Sequence, residues 1–529
     1  MRVSEFNPSE QELLGRYLTN LDQPIFALRN LPEVVKGALF SRYSRTEKSL
    51  RRVLLEEFLN GEVEPAFQGD FPADRAGTAA VSTRHAEDFY QRVLVGYGDD
   101  SVAELAGAHL AVEEVSMLAA KAIEDSRIGI SPLEKSTRYV RFDRRGRGGG
   151  YLYHRAAELE HPEYEPAMDR LFDTYSALLP PLLDAVRRTH PMQPDDTERG
   201  WKSATRAKAF DLLRGLLPAG ALTNLGLYGN GRAFEYLLTK MSAQELPECR
   251  QLAVAMHEEL AKVIPAFVGR ALDARHGAPA ADRLAATRAA LRRLAQELPA
   301  ATPSGPAVRL LDYDLDAERK VVAAALFPHA NASVDHAEGI DVEAALAAMM
   351  GDRANRRQRV PRAFEHAGYL FEIVANFGAY RDLQRHRMLT QERQLLTTAL
   401  GFDLPDGIEQ HGLAASFRSA MDSAAESHQR LERDLGKALA QYAVPMGYRM
   451  RWYFRVNLRE IYHLCELRTS PQGHPDYRWI AQEMFRLVRE VHPRLASYAR
   501  FVDLSPGDEL ERRQSERRLD EKLRRLTGG

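Results

Sequence analysis

The sequence repeats itself, and this internal repeat limits the possible folds more than any other feature of the chain. In the first half, residues 214–218 (RGLLP) are followed by residues 230–232 (NGR), with 12 positions from the proline to the asparagine. In the second half, residues 441–445 (QYAVP) are followed by residues 457–459 (NLR) at the same spacing. Similar segments in a fixed order indicate a duplicated structural unit. We therefore expect the chain to contain two similar units.

A further pair of segments supports the repeat, because residues 101–104 (SVAE) correspond to residues 362–365 (RAFE). The boundary between the units is expected at residues 300–307 (AATPSGPA), where prolines, a glycine and a serine interrupt the apolar periodicity. We predict an N-terminal unit over residues 1–300 and a C-terminal unit over residues 305–529.

The spacing of apolar residues predicts a helix-rich chain with short extended segments. Long amphipathic helices are predicted over residues 101–126 and 363–384, because both have apolar side chains at helical intervals. Extended segments are predicted at residues 137–142 and 308–314. Residues 509–526 alternate in charge, which predicts a solvated C-terminal helix rather than a binding site.

Local signals predict the ends of several other elements. A helix is expected to begin at residues 7–12 (NPSEQE), since proline is tolerated in a first turn and acidic side chains favour it. Residues 144–150 (RRGRGGG) predict a turn, because they lack the glycine order of a dinucleotide-binding loop. The remaining predictions are a loop at 61–82 and helical regions at 153–190, 200–300, 415–442 and 456–468.

Composition excludes several classes of protein. The 72 basic and 74 acidic residues give a formal net charge of −2, so the chain has no overall attraction to nucleic acid. Cys249 and Cys465 are the two cysteines and lie far apart, which excludes a disulfide framework and a multi-cysteine metal site. A polar N-terminus and the lack of an apolar run of about 18 residues predict no membrane span and a cytoplasmic protein.

Three potentially cationic side chains are consecutive at Arg385, His386 and Arg387. Two guanidinium groups on either side of an imidazole suit a multiply charged ligand, such as a nucleotide or flavin phosphate. An exposed helix end with solvated arginines is the alternative explanation of the same residues.

These residues carry a resemblance to the flavin-dependent thymidylate synthase family, whose signature reads RHRxxSxNExSxRY. The second half has the Arg-His-Arg triplet, and it has Glu365 and His366 placed before the triplet as in that family. It departs from the rest of the signature, because other residues stand at the two serines, the asparagine and the final arginine. These departures are Thr390, Glu392, Leu395 and Thr397.

The first half keeps the part of the signature that the second half has lost. Residues 126–128 (SRI) stand where the family has Arg-His-Arg. The rest of the signature is matched by Ser131, Glu134, Ser136, Arg138 and Tyr139.

The same complementary loss occurs further along each half. Arg214 matches the family's arginine before Leu-Pro, where the second half has Gln441. Arg468 matches the arginine that stands 11 residues after Asn457, where the first half has Met241. His474 resembles the family histidine that follows. A fused pair in which each half supplies what the other lacks would need only one composite site.

The resemblance implies a site shared by the two halves and a role for each matching residue. Arg468 is the expected catalytic residue, because a guanidinium can stabilise negative charge that develops on a pyrimidine ring. No metal is expected. The expected nucleotide-binding residues are Ser136, Arg138, Arg214, Arg385 and Arg468. The expected FAD-binding residues are Glu134, Arg385, His386, Arg387, Asn457, Arg459 and His474.

The resemblance also implies the fold and the reaction. The expected fold is α+β and helix-rich, with two tandem units of antiparallel sheet and long helices packed as a pseudo-dimer. The expected enzyme is a methyltransferase that converts dUMP to dTMP with FAD, NADPH and methylenetetrahydrofolate, in a homodimer of fused chains. The alternatives are a related flavin enzyme with a changed nucleotide or one-carbon product, and a non-catalytic nucleotide- or flavin-binding paralogue.

Each residue also has a purely structural explanation. Asn457 can cap a helix, and Glu134 can be a structural acid that pairs with an arginine. Ser136 and Arg138 can be ordinary strand residues with an exposed ion pair. His366 can be a core histidine with its hydrogen bonds satisfied.

Overall fold

The computed structural model describes most of the chain, and the described residues form two compact units. The described ranges are 6–43, 46–59, 103–298, 307–331, 333, 339–507 and 510–527. The first unit comprises residues 1–113, 122–134 and 225–298, and the second comprises residues 114–121, 135–224 and 299–529. The predicted loop at 61–82 and nearly all of the predicted boundary at 300–307 lie outside the described ranges. The division of the repeat into residues 1–300 and 305–529 stays a prediction.

Seven strands in the described ranges form two sheets. The strand order is β1-β3-β2 in one sheet and β4-β5-β7-β6 in the other. The pairs β2–β3, β4–β5, β5–β7 and β6–β7 are antiparallel. The strands are β1 (Gly107–Ser116), β2 (Ile130–Glu134), β3 (Leu222–Asn230), β4 (Val308–Tyr313), β5 (Gly368–Asn376), β6 (Thr390–Arg393) and β7 (Arg449–Asn457).

Helices make up most of the regular structure, so the predicted helix-rich α+β class is confirmed. The pseudo-dimer packing of two units stays a prediction. In the described part of the first half the α-helices are α1 (Pro8–Tyr17), α2 (Glu33–Tyr43), α3 (Leu50–Val53), α4 (Met117–Glu124), α5 (Tyr164–Thr189), α6 (Glu198–Leu213), α7 (Gly231–Ser242), α8 (Pro247–Ala261), α9 (Pro265–Val268) and α10 (Gly277–Ala295). In the second half they are α11 (Ala317–Leu326), α12 (Val342–Met350), α13 (Phe377–Leu383), α14 (Asp406–Gln410), α15 (Ala414–Leu435), α16 (Lys437–Ala440), α17 (Leu458–Arg468), α18 (Pro475–Val491), α19 (Pro493–Ser497) and α20 (Arg513–Thr527).

The two long amphipathic helices predicted at residues 101–126 and 363–384 are wrong. Each region is a strand followed by a short helix, namely β1 with α4 and β5 with α13. In β5 the side chains of Tyr369, Phe371 and Ile373 are fully buried, and the residues between them are only partly buried. This period of two is the mark of a strand. Apolar residues on both strand faces imitated the apolar stripe of a helix.

Other local predictions had mixed outcomes. The predicted start of α1 is confirmed, because Asn7 and Glu10 form a reciprocal capping box. The predicted extended segment at residues 308–314 is confirmed as β4. The segment at 137–142 was predicted to be extended and is a turn. The helical region predicted at 200–300 contains β3, which the periodicity did not show.

The C-terminal helix α20 is not the solvated tail that its charge pattern predicted. It packs against α6 within the second unit. Arg513 and Arg517 form ion pairs with Asp196 just before α6, and Asp520 forms ion pairs with Arg199. Glu516 and Asp520 are buried. The alternating charges of α20 therefore form specific ion pairs with residues in α6 and just before it.

Within the second unit, the repeated Leu-Pro and Val-Pro segments run side by side. The amide of Ala219 donates to the carbonyl of Val444, and the amide of Met446 donates to the carbonyl of Leu217. The long helices α5 and α15, which precede the two segments, also pack on each other. Equivalent parts of the sequence repeat are therefore paired with one another in this unit.

Gly220 is a point of close approach in this pairing. An added Cβ would lie 2.9 Å from the backbone oxygen of Tyr442 and 2.9 Å from the Met168 methyl group. We expect Gly220→Ala to lower the free energy of unfolding by about 1–3 kcal/mol in urea denaturation, because the backbone must shift. Gly226→Ala is the matched control, since nothing lies within 4 Å of its Cβ position. Equal stability of the two variants would contradict this expectation.

Candidate functional site

Most of the predicted site residues lie in the second compact unit, although they come from both halves of the sequence. Ser136 and Arg138 lie in the turn after β2, and Arg214 follows α6. Arg385, His386 and Arg387 follow α13, and Arg468 ends α17. Glu134 is the exception, because it is the buried last residue of β2 in the first unit.

Arg138 is held by a buried carboxylate that the sequence analysis did not identify. Its Nε and one Nη bind both oxygens of Asp211 at 2.7–3.0 Å. The same side chain donates to the Tyr477 hydroxyl and to the Gln472 carbonyl. A guanidinium has five N–H donors, and most of those of Arg138 form hydrogen bonds within the protein. The amide of Arg138 also donates to Ser136 Oγ at 3.2 Å.

The Nη2 group of Arg214 is available to donate a hydrogen bond to a ligand. Its Nη1 is 3.0 Å from an oxygen of Asp382, and its Nη2 is buried without a hydrogen-bond partner among the described residues. Only 5% of the residue is exposed. A buried donor without a partner carries an energetic cost. Such a group is expected where a ligand supplies the missing acceptor.

Arg214 lines a cavity of about 250 Å³ to which both halves of the sequence contribute. The first half supplies residues of α6 and the start of the Leu-Pro segment. The second half supplies the start of α13, the loop before α14 and the start of α18. The volume lies just below the range of roughly 300–1,000 Å³ that is usual for small-molecule sites. The polar residues that line the cavity include Lys208, Asp211, Arg214, His474, Asp476 and Glu511.

Several cations act on two carboxylates, those of the buried Asp211 and the partly buried Asp382. Burial alone would raise the pKa of Asp382, but the charges of Arg214, Arg468 and Arg138 hold it well below its usual range. Burial would likewise raise the pKa of Asp211, and Arg138 together with other nearby cations lowers it. Arginines from both sequence halves thus belong to one electrostatic cluster.

Arg468, the expected catalytic residue, is linked to the predicted triplet. Its Nε donates to Nε2 of His386 at 2.9 Å, and its guanidinium lies 5.3 Å from the ring centre of Tyr477. The other ring nitrogen of His386 lies 2.7 Å from Glu460 Oε1. His386 is buried, whereas Arg385 and Arg387 on either side of it are exposed. The triplet therefore has one inward and two outward side chains.

The other residues expected to bind FAD have partners within the chain. Asn457 caps α17 by accepting the amide of Glu460, as the alternative explanation proposed. Arg459 pairs with Glu365 at 2.7 Å. His474 is buried, caps α18, and lies 3.3 Å from the backbone oxygen of Asp211. These contacts do not test cofactor binding, so the assignment of these residues stays a prediction.

Asn457 and Arg459 line a second cavity, of about 150 Å³, whose rim is rich in arginine. Arg353 is paired with Glu466 in a buried bidentate ion pair. Arg356 and Arg359 are exposed and have no ion pair within the described residues. This set of donors suits an anionic group such as a phosphate or pyrophosphate.

The sequence analysis missed the carboxylates Asp211, Asp382 and Glu460, which organise the cluster. Asp382 stands three residues before Arg385 and Asp211 three residues before Arg214, so proximity to a candidate arginine was an available signal. The contact between Arg138 and Asp211 joins positions 73 residues apart and had no local signal.

Among the described residues, no helix is both long enough and apolar enough to cross a membrane.

The amino-acid sequence of the chain is similar to those of several known proteins. A protein of Chlamydia muridarum (strain MoPn / Nigg), named UPF0159 protein, is 44% identical over 533 residues, which cover 98% of this chain and 99% of that protein. The flavin-dependent thymidylate synthase of Sulfolobus acidocaldarius is 27% identical over 199 residues, which cover 36% of this chain and 76% of that enzyme.

The solved structures that match this chain include that of the UMP/dUMP methylase PolB from Streptomyces cacaoi bound with 5-Br dUMP. The match has a TM-score of 0.31 and 20% identity, and it covers 39% of this chain and 99% of that chain. A TM-score of this size carries no structural argument. The family model described as thymidylate synthase complementing protein matches twice, at residues 63–266 and 309–494. With one match in each half, the chain belongs to this family, that of the flavin-dependent thymidylate synthases, in a tandem-duplicated form.

Proposed function

We propose that the chain is a flavin-dependent methyltransferase that acts on a pyrimidine nucleotide, with conversion of dUMP to dTMP as its simplest reaction. One observation carries the proposal: an oxygen of Asp382 lies 3.0 Å from Nη1 of Arg214, and the charges of Arg214 and Arg138 from the first half and of Arg468 from the second lower the pKa of this carboxyl group. Family membership supports the same reaction class. The name of the Sulfolobus relative specifies a flavin-dependent thymidylate synthase.

Arg214 is the proposed contact for the nucleotide phosphate. Its Nη2 is buried, has no hydrogen-bond partner in the described part of the chain, and belongs to a residue that lines the cavity of about 250 Å³. A phosphate oxygen is a charged acceptor that can satisfy this donor with a strong hydrogen bond. Ser136, Arg138 and Arg385 complete the proposed nucleotide-binding set with Arg468.

Arg468 is the proposed catalytic residue. Its Nε edge is bound to His386, so both Nη groups remain to contact a planar ligand edge. C5 of a uracil ring is nucleophilic when the ring carries the negative charge of an enolate, and this charge must build up before C5 attacks a one-carbon group. Guanidinium donors fixed beside that edge stabilise the charge as it develops.

The proposed cofactor is FAD, with NADPH as reductant and methylenetetrahydrofolate as one-carbon donor. The exposed Arg356 and Arg359, with Arg459, offer donors that fit an anionic cofactor at the second cavity. Arg385, His386, Arg387, Asn457, His474 and Glu134 are the other proposed FAD-binding residues. When bound, the flavin supplies the hydride, and the protein positions the reactants. A homodimer of fused chains is part of the same proposal.

Purified full-length protein provides the test. We expect a bound-flavin spectrum that bleaches with NADPH and recovers when dUMP and methylenetetrahydrofolate are added. Arg214→Gln should weaken dUMP binding in calorimetry by about ten- to a hundredfold, because a charged hydrogen bond contributes about 1.5–3 kcal/mol. Arg418→Gln, which alters an exposed ion pair with Glu409, is the control. Failure of the unmodified protein to bind flavin added in excess would refute the proposal.

A second candidate is a flavin protein of the same family with a different ligand, or without catalysis. The observation that favours it is the pairing of Arg138 and Arg214 with Asp211 and Asp382, which neutralises charge that a phosphate dianion would need. Flavin binding without measurable dUMP binding would support this candidate over the first.

A further inference from the structure

A buried imidazole connects two charged residues at opposite ends of one helix. Glu460 lies in the first turn of α17 and Arg468 is its last residue. The two backbone positions are about 12 Å apart along the axis, at 1.5 Å per residue. His386 lies between the side chains, with Nδ1 at 2.7 Å from Glu460 Oε1 and Nε2 at 2.9 Å from Arg468 Nε. The three groups form one chain of hydrogen bonds.

The donors and acceptors allow only one arrangement of protons along these hydrogen bonds. The Nε–H of arginine can only donate, so Nε2 of His386 must carry a lone pair. The imidazole proton then lies on Nδ1 and is donated to the Glu460 carboxylate. A doubly protonated imidazole would place its own N–H against that of Arg468. Charge and hydrogen bonding therefore select a neutral imidazole beside an ionised carboxylate.

The protonation equilibria agree with this geometry. Burial and the charge of Arg468 lower the pKa of His386 to about 4, although the contact with Glu460 opposes them. Burial would raise the pKa of Glu460, but hydrogen bonds from His386 and His463 lower it to about 2. At neutral pH the histidine is uncharged and the glutamate is charged.

We propose that Glu460 is a positioning residue, which acts through His386 to hold the guanidinium of Arg468 in a fixed orientation. A carboxylate behind an imidazole fixes its tautomer and ring plane, as it does for histidines that bind metals. Here the ring passes that orientation to an arginine. That Arg468 serves catalysis rests on the proposed function. The hydrogen bonds that link Glu460, His386 and Arg468 are observed in the structure and do not depend on that function.

A metal ion is the competing explanation. His386, Glu460 and His463 each offer one ligand atom, and these atoms lie within 4.8 Å of one another. A metal on Nδ1 of His386 would move the proton to Nε2, where it would face the Nε–H of Arg468. The positive charge of Arg468 would also oppose a cation. The structure therefore favours a protonated Nδ1 over a metal-bound one.

Nitrogen-15 NMR of the full-length protein without ligand tests the proposal directly. With labelled histidine, we expect His386, identified by its loss in His386→Asn, to be the neutral Nδ1–H tautomer at pH 7. With labelled arginine, we expect a solvent-protected Nε–H signal from Arg468, identified by Arg468→Lys. This signal should persist in Glu460→Gln, which keeps an acceptor, and should exchange rapidly in Glu460→Ala.

Glu432→Gln is the matched control, because Glu432 also faces a buried histidine, His428, but on helix α15. It should leave the Arg468 signal unchanged. An Nε2–H tautomer of His386 would overturn the proposal, and so would an Arg468 signal that is unaffected in Glu460→Ala. Stoichiometric Zn²⁺ binding that is abolished by His463→Ala would overturn it in favour of the metal.

Nucleotide titration separates this proposal from the proposed function. Glu460→Ala should weaken dUMP binding by about tenfold, the lower end of what loss of an orienting partner costs. It should have no further effect in the Arg468→Lys background, because the two residues act in series. If the unmodified protein binds no dUMP, the proposed function fails. Loss of the protected Arg468 signal in Glu460→Ala would still support the positioning role.

Discussion

Replacement of Arg138 by alanine should lower the free energy of unfolding by about 3–5 kcal/mol, which is the usual cost of leaving one member of a buried ion pair without its partner. Asp211 is 5% exposed, and both of its oxygens are bound by Arg138. Without the guanidinium, the carboxylate must stay charged in a poorly solvated place or take up a proton. Urea denaturation at pH 7 measures the loss.

Two further variants separate this effect from simple loss of packing. The double variant Arg138→Met with Asp211→Leu should recover most of the lost stability, because apolar side chains of similar volume often replace a buried pair without cost. Arg418→Ala removes an exposed arginine and should change stability by about 0–1 kcal/mol. A loss below about 1 kcal/mol for Arg138→Ala would show that Asp211 is not buried as an ion in solution.

The second large effect concerns the dependence of stability on pH. Because the pKa of His386 falls from 6.5 to about 4 on folding, the unfolded chain binds a proton there below pH 6.5 while the folded chain does not. Stability is therefore lost as the pH falls from about 6.5 towards 4. At about 1.36 kcal/mol for each pKa unit, this one residue accounts for roughly 3 kcal/mol.

Urea denaturation of His386→Asn between pH 7.5 and 4.5 measures this contribution. The variant should lose less stability over that interval than the unmodified protein, by up to about 3 kcal/mol. His329→Gln is the control, because His329 is exposed. Burial also lowers the pKa of His428, so some decline should remain in every variant. Parallel curves for His386→Asn and the unmodified protein would contradict the expected contribution.

The family resemblance predicted the helix-rich α+β class, whereas the periodicity of apolar residues misplaced individual elements. Capping chemistry located α1 correctly, because Asn7 and Glu10 interact within four residues. The strands β1 and β5 were mistaken for helices. In β5 apolar residues stand on both strand faces, with Phe371 buried and Leu370 and Val374 partly buried, so they also fit a helical stripe. Periodicity describes which side chains are apolar, and the number of faces that become buried depends on neighbours that are distant in sequence.

For the site, a signature divided between two distant segments named arginines that the fold brings into one unit. The charges of Arg138 and Arg468 lower the pKa of one carboxylate, Asp382, and the composite ligand site stays a prediction. The acidic partners escaped prediction because a carboxylate near an arginine in sequence is common and usually solvated. Only the fold shows that Asp211 is 5% exposed and that the Asp382 side chain is 19% exposed, and solvation of this kind cannot be read from proximity in sequence.

The side-by-side pairing of the Leu-Pro and Val-Pro segments affects how the arginine cluster behaves when the protein is diluted. In an assembly of separate subunits, a site that draws arginines from two chains falls apart when the protein concentration drops below the dissociation constant. Here the segments around Gly220 and Tyr442 belong to one polypeptide, so their encounter is intramolecular and has an effective concentration set by the intervening chain. The arginine cluster should therefore remain assembled at any protein concentration at which the chain is folded.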